Sequence, residues 1–336
     1  MLKYSIIIPT YNNSEKLKKC LAYIQHLKKP SEDFEVIVID NGSTDETSKI
    51  VRRYDFVKYF YDSTPGLHTG RHLGAKKALG QILCFIDDDS FVDKNWLIEI
   101  EKTFLKEEVV LAGGNNLPLY ETNPPHWLKY FWIKTPYGKY MDKLSLINFK
   151  NKQMKVPAWF VFGCNFIIKK DILLELGGFN PDGMPQSLIK YRGDGETAIS
   201  CKLNKKGLVA HFYPKIKIHH FVPKSRMTLE YLKRRAFNGG VSYSYSKIRK
   251  ENGFNYFDFE PNINVDKVSL SLLEKLHLKL SKCLNFLNNF NPNYKYYQKI
   301  KEEIKEAEKQ GFEYHQEETQ KDEKLLSWVL QDNYFN

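Results

Sequence analysis

The sequence predicts an α/β fold: a mostly parallel sheet covered by helices, followed by a mainly helical C-terminal extension. Through the first 115 residues, short runs of consecutive apolar residues alternate with helical segments; strands buried on both faces read as continuous apolar runs. Acidic residues stand at the ends of two of those runs, Asp40 after one and Asp87, Asp88 and Asp89 after another. In open parallel sheets, ligands bind outside the carboxyl ends of the strands. Residues 265–310 repeat leucine at helical spacing, with Leu270, Leu273, Leu276 and Leu280 in one stripe. The chain divides into residues 1–115, residues 116–250 as the second half of the same domain, and the extension 251–336.

Taken in order, "YSIIIP" (4–9) is a buried strand, and Leu17, Leu21 and Ile24 recur at helical spacing behind it. "EVIVID" (35–40) is a second strand; Ser43 and Glu46 have capping-box spacing and predict a helix opening near Thr44. "VKYFY" (57–61) is a third strand, a helical stretch runs to Leu79, and "QILCFID" (81–87) is a fourth strand. Asp93 can cap a helix that carries Trp96, Leu97, Ile100 and Phe104 on one face, and "VVLAGG" (109–114) is a fifth strand. Five prolines between 116 and 157 break the pattern and predict an irregular connection with a short helix. "NFIIKK" is a further strand, followed by a helix ending at Gly177-Gly178 and a loop through Gly183 and Pro185. A helix from Asp194 to Lys206 stops at Gly207, "IKIHH" (216–220) is a strand, and Thr228 opens a basic helix.

Composition narrows the setting. The 336 residues carry a net charge of +11, although residues 301–324 hold nine acids against five lysines. Such a surface suits anionic partners, from phosphorylated small molecules to lipid headgroups, without choosing among them. Cys20, Cys84, Cys164, Cys201 and Cys283 are scattered and odd in number, which argues against a disulfide framework or zinc site and for a reducing compartment. "SIIIP" is too short for a secretion signal, and no run approaches the ~18 apolar residues of a membrane span. The expectation is a cytoplasmic protein with room for peripheral contact at the inner face of a membrane.

The acids carry the chemistry. Three adjacent carboxylates repel unless something neutralises them, and Mg²⁺ or Mn²⁺ prefers oxygen ligands alongside substrate phosphates. Strand alternation turns Asp87 and Asp89 to one side; the plainer reading of the triplet is a solvated turn. Asp40 ends the second strand, but the turn after the first is "PTYNNSEK", without the G-x-G-x-x-G that a dinucleotide cofactor needs. A mononucleotide fits better, with Asp40 accepting from the base and Tyr11 packing on it; alternatively Asp40 and Ser43 only cap a helix.

Taken together, "SIIIPTYN", "VIVIDNGSTDET", "GRHLGAKKALGQILCFIDDD" and "GGFN…GDGETAISCKLNKKG" resemble the family 2 glycosyltransferases, of the A-type nucleotide-diphospho-sugar transferase fold. The resemblance covers residues 3 to 245. It implies a base and ribose pocket of Pro9, Thr10, Tyr11 and Asp40, with Arg71 near the diphosphate. It implies that Asp87 and Asp88 hold the nucleotide sugar and that Asp89 holds Mn²⁺ or Mg²⁺. "GDGETAI" departs from the family's acidic pattern: counting back from Leu203 puts Glu196 at the catalytic position, with Asp194 the competing candidate. "HHFVPKSR" resembles a segment whose histidine completes the metal site, His220 ahead of His219.

The implied reaction replaces a nucleotide diphosphate at the anomeric carbon by an acceptor hydroxyl, in one inverting displacement. The donor is a nucleotide-diphospho-sugar, with UDP the commonest carrier; the acceptor is a glycan or lipid-linked hydroxyl, met by Trp159, Asn165 and Arg226. The competing classes are a catalytically inactive nucleotide-sugar-binding scaffold and a sugar nucleotidyltransferase. The second needs a glycine-rich basic loop after the first strand, and "TYNNSEK" is not one. No nucleic-acid-binding motif accompanies the positive charge, and an acidic cleft repels phosphate unless metal is bound.

Overall fold

The computed structural model describes residues 3–150, 153–254 and 291–335. The leucine stripe at 270–280 and Cys283 lie outside the described residues.

The chain begins as expected, with β1 (Tyr4–Thr10), α1 (Ser14–Gln25), β2 (Phe34–Asp40), α2 (Thr47–Val51), β3 (Val57–Tyr61), α3 (Leu67–Lys77) and β4 (Ile82–Ile86). β1 lies parallel to β2 and to β4, and β2 to β3, so Thr10 stands beside Asp40 at one edge. Alternation splits the strand between two cores: Ile6 and Ile8 join Leu17, Leu21 and Ile24 of α1, whereas Ile7 joins Ile39 and Ala75 of α3. This is the two-sided burial that the continuous apolar runs encode. α3 sits close because Gly74 has no side chain; a Cβ there would stand 2.3 Å from Ile7 Cγ2. The second helix opens later than its capping-box spacing suggests. Asp45, not Ser43, accepts from the Thr47 N–H and hydroxyl, while Ser43 Oγ accepts from the Asn12 N–H.

The eight-stranded sheet has the order β11-β13-β6-β12-β4-β1-β2-β3. Its later members are β6 (Leu111–Gly113), β11 (Met154–Val156), β12 (Asn165–Lys169) and β13 (Ala210–Phe212). β12 runs antiparallel between β4 and β6, so the sheet is mostly rather than wholly parallel. A second sheet, β5-β14-β7-β10-β9-β8, is built from β5 (Ser90–Val92), β7 (Asn116–Tyr120), β8 (Ile133–Thr135), β9 (Gly138–Met141), β10 (Leu146–Phe149) and β14 (Ile218–Val222). It corrects the irregular connection expected over 116–157. These strands are three to five residues long and punctuated by proline, too short for a legible period.

Helix α4 (Trp96–Phe104) covers one face, and α5 (Lys170–Glu175) and α6 (Thr197–Lys205) follow. Beyond β14, α7 (Leu229–Glu251) packs along α8 (Pro292–Lys321), and α9 (Glu323–Val329) closes the described chain. Thr228 caps α7 by accepting from the Tyr231 N–H. The α7–α8 contact is bare backbone at its centre: a Cβ on Gly240 would meet the Glu308 carbonyl at 1.9 Å, and one on Gly311 the Phe237 carbonyl at 2.0 Å. No helix among the described residues is long and apolar enough to cross a membrane.

The last residues dock on the first domain. His72 Nδ1–H donates to the Tyr334 carbonyl at 2.9 Å, while its Nε2 accepts from the Phe179 N–H at 2.8 Å. Trp328 Nε1 donates to the Tyr191 carbonyl, and Arg249 reaches the carbonyls of Val329 and Gln331. Burial outweighs the Tyr334 bond and holds the His72 imidazole neutral, down at about 3 against the ordinary 6.5; burial likewise outweighs Asp182 and holds His68 at about 4.

Candidate active site

The acidic triplet is the crossing between the two sheets. β4 ends at Ile86 in the first sheet, β5 begins at Ser90 in the second, and Asp87–Asp89 bridge them. The turn is held by the Ser90 N–H donating to the Asp87 carbonyl at 3.0 Å and the Phe221 N–H donating to the Asp89 carbonyl at 2.9 Å. Because β5 pairs antiparallel with β14, Ser90 faces His220, and Asp89 lies beside that histidine.

The side chains divide by direction. Asp88 turns toward β1, where the Thr10 hydroxyl and Asn13 Nδ2 each donate to it at 2.6 Å. Asp87, Asp89 and His220 turn together, and one ligand atom from each lies within 4.8 Å of the others. His220 Nδ1–H donates to the Leu144 carbonyl at 3.0 Å. In the neutral ring that bond fixes the tautomer and turns the Nε2 lone pair, 3.4 Å from Asp89 Oδ1, into the cluster. Arg226 completes the group, Nη2 to Asp89 Oδ2 at 3.0 Å and Nη1 to His220 Nε2 at 3.5 Å.

Charge is uneven in this cluster. Burial opposes the Asp89 charge, but His220 in its protonated form, and then Arg226, outweigh it and hold the carboxyl down at about 2. Burial, reinforced by Asp89, pushes Asp88 up to about 8 against the pull of Thr10 and Asn13. Burial also raises Asp87, with Arg71 opposing and Asp89 assisting. Burial and the neighbouring Asp89 thus both work against charge on two of the three carboxyls. A divalent cation relieves that repulsion, and the donor set of two carboxylates and one imidazole suits Mn²⁺ or Mg²⁺.

Asp87, Asp88, Asp89 and Arg226 form one wall of a cavity of about 450 Å³. Pro9, Thr10 and Tyr11 line it from the end of β1, Asn41 and Gly42 from the end of β2, and Gly183 and Pro185 from the far loop. Tyr11 is 59% exposed, its ring open to a ligand. Asn13, Asn41, Ser63 and Gly66 also line the cavity; sequence reasoning did not single them out, although each stands in a loop at a strand end or helix start.

Several expected residues stand elsewhere. Asp40 is buried behind the wall and holds the turn, accepting from the Ser43 N–H at 2.8 Å and the Tyr59 hydroxyl at 2.7 Å. Arg71 is 2% exposed and lies behind the carboxylates rather than on the cavity wall, where a diphosphate contact was expected. Its Nη2 contacts Asp87 at 3.3 Å, its Nη1 lies 3.7 Å from Glu196, and its guanidinium stacks on Phe179. Burial works against its charge, but Asp87 and Glu196 outweigh burial and raise it. Asn165, expected at the acceptor, is 1% exposed and wholly engaged. It accepts from Trp96 Nε1 and donates to Asn116 and the Ile216 carbonyl, because β12 turns it inward between the sheets.

The two candidate bases separate. Asp194 accepts from Asn180 Nδ2 at 2.8 Å and from the Ser246 hydroxyl of α7 at 2.9 Å, with both oxygens engaged away from the cavity. Burial raises its carboxyl against those bonds. Glu196, 27% exposed at the start of α6, accepts from the Gly163 N–H at 3.0 Å and faces Arg71. His219 points from the opposite face of β14, where burial first, then Lys217, lower its affinity for a proton. Trp159 is half-buried beside Phe160, in a short turn packed against α6.

The family described as Glycosyl transferase family 2 matches residues 5–177. Glycosyltransferase AglE of Haloferax volcanii is 36% identical over 116 residues, 33% of this chain and 38% of that protein. The poly(ribitol-phosphate) beta-N-acetylglucosaminyltransferase TarS of Staphylococcus aureus is 32% identical over 102 residues, 29% of this chain and 18% of that protein. The match thus spans well under half the length of these curated relatives. Among solved structures, the mannosyltransferase PcManGT from Pyrobaculum calidifontis, in complex with GDP-Man and Mn²⁺, aligns over 91% of this chain and 85% of that one. Its TM-score is 0.56 at 18% identity, a likeness of fold.

Proposed function

The chain belongs to glycosyl transferase family 2, and we propose that it moves a sugar from a nucleotide-diphospho-sugar to an acceptor hydroxyl, with inversion and with a divalent cation. The observation that carries this reading is the convergence of Asp87, Asp89 and His220, of which the two carboxylates line a cavity at the carboxyl ends of β1 and β2 while the imidazole is buried beside them. Those three side chains would hold the cation, which when bound would supply Lewis acidity toward a leaving diphosphate.

The remaining roles fall to the chain itself. Pro9, Thr10, Tyr11, Asn41 and Gly42 shape the nucleotide's place, with Tyr11 free to pack on the base. Asp40 acts one layer back, by fixing the turn that carries Asn41 and Gly42. Thr10 and Asn13 fix Asp88. Arg71 bridges Asp87 to Glu196, so the metal-binding and proton-accepting sides of the site share one buried cation. Glu196 takes the proton of the acceptor hydroxyl; such bases typically contribute ~10²–10⁴-fold. Glu196 is preferred to Asp194 because it lies against Arg71 and the Asp87 side of the site, whereas Asp194 accepts from Asn180 and from Ser246 of α7. One displacement by the activated hydroxyl needs no covalent nucleophile and inverts the anomeric centre.

The acceptor approaches from the turn at 158–160 and the start of α6, with Trp159 as a sugar-facing ring. Its class is a glycan, polyol or lipid-linked hydroxyl, consistent with the poly(ribitol-phosphate) in the S. aureus relative's name. The free thiols of Cys20, Cys84, Cys164 and Cys201 suit the reducing cytoplasm, where the reaction is placed.

The test is release of nucleoside diphosphate from a panel of UDP- and GDP-sugars, with Mn²⁺ and with chelator, followed by assignment of the product's anomeric configuration. Cation-dependent turnover with inversion is expected. Retention would overturn the single displacement, and donor binding without turnover under any cation would make the chain a binding protein.

A further inference from the structure

Arg226 is the only basic side chain lining the cavity among the described residues, against three carboxylates. It stands in a short turn, Lys224–Met227, between β14 and α7, anchored by the buried Met227 and the Thr228 cap. Its backbone is therefore fixed while its side chain, 32% exposed, faces the cavity. A guanidinium keeps its charge throughout the accessible pH range. Both groups it touches, the Asp89 carboxylate and His220 Nε2, also belong to the cation-binding triad. A neutral imidazole nitrogen has one lone pair, so Nε2 serves either the Arg226 N–H or a metal ion, never both. On Asp89, Arg226 holds Oδ2, whereas Oδ1 lies on the His220 side, so the competition for a metal ion centres on Nε2.

We infer that Arg226 is an exchangeable counter-ion: it holds Asp89 and His220 until a divalent cation takes them, and the released guanidinium then binds the phosphate oxygens of the donor. The inference rests on the proposed metal site. It explains how a cavity with three acids and one base accepts a diphosphate. Metal entry removes the base's partner, and a planar guanidinium suits bidentate contact with phosphate. It also makes metal and nucleotide binding mutually favourable, a coupling that is reciprocal by linkage.

Calorimetry on the full chain tests it, with Mn²⁺ titrated in the absence of nucleotide and UDP and GDP titrated at saturating Mn²⁺. Arg226→Gln is expected to bind Mn²⁺ about tenfold more tightly than the parent, because a competing cation is gone, and to bind the nucleoside diphosphates about tenfold more weakly. Arg226→Lys, which keeps the charge but not the fork, falls between. Damage to the fold weakens both interactions and cannot produce the gain. Unchanged or weaker Mn²⁺ binding in Arg226→Gln overturns the exchange, as does undiminished nucleotide binding. Asp89→Asn separates the two ideas: if it abolishes Mn²⁺ binding while Arg226→Gln brings no gain, the metal site stands and only the exchange falls. If the parent and Arg226→Gln alike bind no Mn²⁺, both fall.

Discussion

The two walls of the site are made in different ways. Residues 3–115 place their groups through strand register: Thr10 beside Asp40, and Asp87–Asp89 where β4 gives way to β5. Residues 163–226 place theirs through contacts made across long stretches of chain, such as Glu196 on the Gly163 N–H and Arg226 against Asp89. The first wall is nearly all backbone and acid; the second brings the His220 imidazole, the Arg226 guanidinium and the Glu196 carboxylate. The difference teaches that the sheet edge decides where a ligand sits, while the returning chain decides what is done to it.

The comparison breaks most readily at Asp89, where the walls meet. Asp89→Asn is expected to lower cation-dependent turnover on the order of 10³-fold, through loss of Lewis acidity; nucleoside diphosphate release across a Mn²⁺ titration reads it. Glu196→Gln sharpens the assignment of chemistry to the second wall. Its kcat should fall ~10²–10⁴-fold with Mn²⁺ affinity retained, whereas Asp194→Asn should move the denaturation midpoint more than kcat. The opposite pattern would exchange their roles.

Smaller effects test the support behind each wall. Leu325→Ala, fully buried in α9, should lose roughly 2–5 kcal/mol in denaturant unfolding while donor affinity below the transition stays unchanged. Gly163→Ala would set a Cβ 2.4 Å from Arg71 Nη2. We expect about 1–3 kcal/mol of destabilisation and a lower kcat, since the guanidinium linking Asp87 and Glu196 must shift. The smallest effect is a pH slope. His68 and His72 are held neutral, down to about 4 and about 3, whereas in the unfolded chain they protonate near 6.5. Their contribution is complete above pH 6.5 and is lost as pH falls toward the folded values. Between pH 6.5 and 5.5 each should remove about 1 kcal/mol, and His72→Gln should flatten the stability slope by that amount.

Much of the first wall was legible because burial on both faces writes itself as unbroken apolar runs, and three acids after such a run have few explanations. The second wall was legible only in fragments. Residue type alone could not show that Asn165 ties the two sheets together while Asn13 serves the site. Arg71 and Asp40 were assigned to the ligand, yet the structure puts both a layer behind it, since a sequence gives spacing along a strand or helix but not depth. The second sheet escaped notice because its three- to five-residue strands have no readable period and hold together through pairing with distant segments. Asp45, not Ser43, braces the start of α2 by accepting from Thr47, and Ser43 is used by Asn12 across the turn.

The bond between His72 and the Tyr334 carbonyl joins residues 262 positions apart. During synthesis, the face of α3 that carries both histidines leaves the ribosome long before the segment that covers it. Until residues 328–335 emerge, that face is without its cover and its imidazoles are open to protonation. The face of α3 is therefore covered by a segment made long after it.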